Sequence, residues 1–85
     1  MDKTENYLVW VQMVNELSEA KEHLDKLIKE FSGESQISEE DLKVDLGHVY
    51  AHLNRAWNLR NSKEGIEKEN WGAISKFPVD LEPVG

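Results

Sequence analysis

The sequence predicts an all-α fold: an antiparallel helical hairpin with a short C-terminal helix and extended tail, two such hairpins pairing into a four-helix bundle. Three observations carry this expectation. Over two long stretches, apolar residues recur in alternating steps of three and four, the period of an amphipathic helix. A short run rich in Ser and Gly separates the stretches, which makes back-folding the natural geometry. The one run that would suit a strand, residues 7–14 (YLVWVQMV), has no second strand-like segment to pair with, so it too reads as helix.

The first helix is expected over about residues 4–31, a stretch without Gly or Pro. Its stripe is Trp10, Met13, Leu17, Ala20, Leu24, Leu27 and Phe31, widened by Val14 and Ile28. Glu22 with Lys26, and Asp25 with Lys29, stand four apart in the acid-before-base order that favours a helix. Residues 32–38 form the loop, with Gly33 placed to end the helix. Ser38 is a helix cap, Asp41 stands where the acidic half of a capping box belongs, and Ile37 and Leu42 occupy the positions of a hydrophobic staple.

The second helix follows over about residues 39–61, its stripe being Leu42, Leu46, Val49, Leu53 and Ala56 with Tyr50 and Trp57 alongside. Gly47 interrupts it at a cost of about 1 kcal/mol relative to Ala. Residues 62–85 are a tail: Ser62 to Gly65 breaks the pattern, Ile66 to about Ser75 suits a short helix, and Pro78 and Pro83 impose extended chain.

Folding about Ser35 pairs Leu24 with Leu46, Leu17 with Leu53 and Met13 with Trp57. An aromatic cluster of Tyr7, Trp10 and Trp57 is expected at the open end, where Trp71, Ile74 and Phe77 of the tail emerge. Trp71 is expected to be mostly buried there. Around residues 7–14 the apolar surface covers more of the helix than one neighbour can hide. The expected interface of a homodimer is therefore Tyr7, Trp10, Val11, Val14, Trp57, Trp71 and Phe77.

Composition narrows the function. Eighty-five residues suffice for one helical domain and a modest core. Without cysteine there are neither disulfides nor thiolate metal sites. Seventeen acids against ten scattered bases give a net charge of −7, which disfavours a nucleic-acid partner. No basic segment precedes an apolar stretch and no run is long enough to span a bilayer, so no membrane association is expected and the cytoplasm is the expected location.

The chemistry-bearing residues are few. Asp45, His48 and His52 share one stripe of the second helix, and His23 falls opposite residues 47 and 48, a pattern that suits a metal between helices. That stripe is offset from the apolar face, so the histidines are expected to face solvent. Glu16, Glu19 and Glu22 resemble half of the magnesium site of small all-α nucleotide pyrophosphohydrolases. Asp41 and Asp45, four apart, do not supply the expected Glu-x-x-Asp half, and a solvated charged face is the reading adopted. Nucleophile motifs and phosphate-binding glycine loops are lacking, so no catalytic residue, metal ligand or cofactor is assigned. Asn54, Arg55, Trp57, Asn58, Arg60 and Asn61 make a polar-aromatic helix end, suited either to recognition or to local packing with Arg60 stacked on Trp57 or Trp10. The resulting expectation is a non-enzymatic, self-associating protein–protein interaction or regulatory module, with a further protein partner as the secondary expectation. The alternative is a small metal-dependent enzyme or metal binder using Asp45, His48 and His52.

Overall fold

Residues 1–33 and 36–85 are described by a computed structural model. The tip of the expected loop, Glu34 and Ser35, lies outside the described residues. Three helices follow in order, α1 over Tyr7–Gly33, α2 over Glu39–Asn58 and α3 over Trp71–Ser75. The first two pack on each other along their length, and α3 packs on α2.

Each boundary has a local cause. Residues 2–5 are held in a turn, because Asp2 accepts from both the backbone N–H and the hydroxyl of Thr4, at 2.9 and 2.8 Å. The helix therefore begins three residues later than expected, where the Asn6 side chain accepts from the Val9 N–H at 3.3 Å in the manner of an N-cap. At the start of α2 the Ser38 hydroxyl accepts from the Asp41 N–H at 3.0 Å, the expected cap. Glu39, Glu40 and Asp41 complement the positive end of the helix dipole. α2 ends at Asn58 rather than near residue 61, where the backbone ladder tightens. The Arg60 N–H donates to the Trp57 carbonyl at 3.2 Å and the Ser62 N–H to that of Leu59 at 2.9 Å, while Arg60 Nη1 also donates to the Trp57 carbonyl at 2.9 Å. Among the described residues the expected Glu22–Lys26 and Asp25–Lys29 pairs do not form, and the ion pair within α1 is Lys21–Asp25 at 2.9 Å, in the base-before-acid order.

The hairpin has the expected register and a different seam. Cross-helix contacts join Glu16 to His52 and His23 to His48, within a few residues of the pairing that folding about Ser35 implies. Ala20 and Leu27 are buried as expected, but the other buried positions of α1 are Val9 and Glu16. Leu17, Leu24, Ile28 and Phe31, expected inside, are 52, 39, 59 and 52 % exposed. The helix is turned by part of a turn about its axis relative to the apolar stripe. The contact line is occupied instead by the buried Ala20 and by Glu16, which pairs across the seam with His52 and Arg55.

The apolar core gathers at the open end. Val9, Leu59 and Ile74 form it, with Met13 and Ile66 packed against them, so α1, α2 and the tail share one cluster. The chain reaches it through Gly65, whose positive φ of 76° suits glycine. The Gln12 amide lies where a side chain at residue 65 would go, and its Oε1 accepts from the Ile66 N–H at 2.9 Å. The expected cluster of Tyr7, Trp10 and Trp57 does not form: among the described residues no ring pair joins them, and Trp57 packs instead beneath Arg60.

Candidate functional site

The two flanks of the hairpin seam differ in chemistry. At about 100° per residue, Glu16, Glu19 and His23 project to one side of the buried line of α1, whereas Leu17, Leu24 and Ile28 project to the other. The same division on the antiparallel α2 puts His48, His52 and Arg55 on the first flank and Leu46 and Leu53 on the second. One flank is thus a polar cluster and the opposite flank an apolar stripe shared by both helices.

The polar cluster centres on Glu16, whose side chain is 9 % exposed. Its Oε1 accepts from Arg55 Nε at 2.9 Å, and its Oε2 stands 2.6 Å from Nδ1 of His52. A separation so short between a ring nitrogen and a carboxylate requires a proton on Nδ1, so that nitrogen donates and Nε2 faces outward. Nε2 lies 3.6 Å from Glu19 Oε2. Arg55 Nη2 also stands 3.0 Å from His52 Nδ1, and Arg55 Nη1 donates to the Ser75 hydroxyl at 2.9 Å. His23 stacks against both other histidines, 5.4 Å from His48 with planes 6° apart and 5.1 Å from His52 with planes 25° apart.

These contacts correct two expectations. His52 does not face solvent: its side chain is 12 % exposed and bound across the seam, although His48 is exposed. Glu16 is no part of a solvated face. Of the residues proposed as metal ligands, His52 converges with His23 and with Glu19, whereas Asp45 and His48 do not belong to that group. A sequence signal for the cluster existed. The hairpin register sets Glu16 opposite residues 52–55, where a histidine and an arginine stand ready to pair with it.

The polar end of α2 proves to be a clasp for the tail. Asn58 Nδ2 donates to the carbonyls of Ile74 and Lys76, both at 2.9 Å, and Asn54 Nδ2 to that of Ser75 at 2.9 Å. These are carbonyls at the end of α3 that the short helix leaves without intrahelical donors. Farther along, the Trp57 indole donates to Asp80 Oδ1 at 2.9 Å and Arg60 Nη2 to Oδ2 at 2.7 Å. The indole N–H is the largest influence and holds the exposed Asp80 carboxyl below the ordinary aspartate range; desolvation opposes it, and the Arg60 guanidinium adds smaller lowering contributions. Arg60 lies 3.7 Å above the Trp57 ring, the expected stacking.

Of the residues expected at an interface, Tyr7, Trp10, Val11 and Val14 share one face of the first turns of α1. Tyr7, Val14 and Phe77 are 67, 48 and 67 % exposed, and Trp10, Val11 and Trp57 are half-buried. Trp71 is 47 % exposed rather than mostly buried, with the Arg55 guanidinium over its ring at 4.1 Å. Val14 borders the apolar stripe, whereas Val11 lies at the edge of that face farthest from it. Leu53 and Tyr50 continue the stripe into a groove of about 610 Å³ whose other wall is Phe77, Pro78 and Leu81. Among the described residues no helix is long and apolar enough to cross a membrane. Comparison of the chain with protein-family models, curated proteins and solved structures finds no match in any of the three.

Proposed function

We propose that this chain is a non-enzymatic interaction module that self-associates, two hairpins pairing through their apolar flanks into a four-helix bundle. The observation that carries the reading is the exposure of Leu17, Leu24, Ile28 and Phe31 in a row on α1, with Leu53 beside them on α2. Isolated apolar residues on a surface are ordinary, but a continuous stripe along two helices marks an interaction site.

A second copy is the occupant that fits the stripe. Because both helices contribute to it, a two-fold rotation lays the stripe of one hairpin on the same stripe of the other, which is the self-complementarity a cyclic dimer needs. The chain carries a net charge of −7, yet no acid of α1 between Leu17 and Phe31 falls on that line, which keeps like charges of two copies off this part of the contact. Trp10, Val14 and the groove at Phe77 extend the contact toward the open end.

Light scattering coupled to size exclusion tests this reading. The expected mass is twice the 9.8 kDa of one chain. A variant carrying Leu24→Glu and Ile28→Glu is expected to run as one chain with its helical circular dichroism retained. A wild-type mass of one chain at every concentration overturns the proposal.

A further inference from the structure

On the polar flank, away from the stripe proposed to pair, we infer that Glu19, His23 and His52 form a binding site for a divalent transition-metal ion of the zinc class. One ligand atom from each of the three lies within 4.8 Å of the other two. Zinc bonds of about 2.0–2.1 Å put neighbouring donor atoms about 3.3 Å apart in a tetrahedral site. The His52 Nε2 to Glu19 Oε2 separation of 3.6 Å is already close to that.

The stronger argument lies behind the ligands. A metal-bound histidine ordinarily donates its other ring N–H to a carboxylate, which fixes the tautomer and aims the free nitrogen at the ion. Glu16 performs that role on His52 at 2.6 Å, and Arg55 in turn fixes Glu16 at 2.9 Å. The Arg55 charge, 3.0 Å from the same ring nitrogen, is offset by Glu16 and so does not present a bare cation to an incoming ion. His23 and Glu19 stand four apart on α1, on one face of the helix and directly across the seam from His52. The Glu19 side chain is 60 % exposed, which leaves an entry path. Two imidazoles with one carboxylate select zinc and its neighbours over magnesium and calcium, which prefer all-oxygen sites. Three protein ligands leave a position for water or a small anion.

Calorimetric titration of the full chain with zinc chloride, followed in parallel by nitrogen NMR of the imidazole rings, tests the site. The expected result is one ion per chain at micromolar affinity, with coordination through Nε2 of His52 while its Nδ1 keeps the proton. Glu19→Gln and His23→Gln, changes at partly exposed positions that leave the Glu16 contacts intact, are each expected to weaken binding by at least the roughly 10–100-fold that loss of an outer-shell partner costs. His48→Gln is expected to change it less than about twofold, and magnesium is expected not to compete. Absence of binding at millimolar zinc, equal weakening by His48→Gln, or coordination through Nδ1 of His52 overturns the assignment. None of these readouts depends on the oligomeric state, so failure here and failure of the dimer are separate results.

Discussion

Glu16 of α1 and His52 of α2 meet across the seam at 2.6 Å, with side chains 9 and 12 % exposed, and Arg55 closes on the same carboxylate at 2.9 Å. A hairpin with so few buried apolar residues along its length is therefore registered by a polar contact. Such a group is costly to break by halves, since removing one member leaves the others buried without a partner. Glu16→Ala is expected to destabilise the protein by about 3–5 kcal/mol in urea denaturation at fixed protein concentration. The paired change Glu16→Leu with Arg55→Met is expected to recover most of that loss, and a double variant as unstable as the single one contradicts this account of the seam.

Two glycines are expected to respond with opposite signs. Gly47 stands in the exposed interior of α2 with nothing near the place of a side chain, so Gly47→Ala is expected to stabilise by about 0.5–1 kcal/mol. Gly65 combines a φ of 76° with the Gln12 amide in the way, so Gly65→Ala is expected to destabilise by more than about 1 kcal/mol. Melting curves of the two variants check both signs.

The tail clasp rests on Asn58, which satisfies two carbonyls of the α3 end. Asn58→Ala is expected to cost about 1–3 kcal/mol, the penalty of leaving partly buried polar groups unpaired. It should also speed hydrogen exchange in residues 71–76 while exchange in the middle of α1 stays slow. Uniform acceleration along the whole chain counts against a local clasp.

Acid is expected to loosen the far end of the same tail. The Trp57 and Arg60 hydrogen bonds hold the Asp80 carboxyl below its unfolded-state value. Its contribution is therefore complete above the unfolded value and is lost as pH falls through the folded one. Carboxyl NMR is expected to place the Asp80 midpoint below about 3.9, the ordinary aspartate value. The Trp57 indole N–H signal should shift with the same midpoint. In Asp80→Asn that shift is expected to vanish.

Helix type, the Ser38 cap and the hairpin register were legible in the sequence because periodicity and capping chemistry are local. The seam was not, because two readings of α1 compete. The stripe read from hydropathy is wide enough to hold Leu17, Leu24 and Phe31 along one edge and Ala20 and Leu27 along the other. The structure buries the latter, because the choice turns on Glu16 meeting His52 and Arg55, a pairing between residues 36 and 39 positions apart. Register alone sets His23 opposite residues 47 and 48; that it converges with Glu19 and His52 instead of Asp45 and His48 depends on the same long-range pairing. Trp71 illustrates a further limit: its size suggested burial, but an arginine face covers a ring without enclosing it.

The central claim, that the apolar flank pairs with its own copy, is tested most directly by isotope-filtered nuclear Overhauser spectra of a mixed sample. One half of the chains carries carbon-13 and nitrogen-15, and the other half carries neither. The expected cross-peaks join the methyl groups of Leu17, Leu24 and Ile28 in one chain to Leu53, Ile28 or the Phe31 ring in the other, with none from His48 or Val11. A filtered spectrum empty at millimolar concentration contradicts the claim, as does one whose only peaks arise from the polar flank.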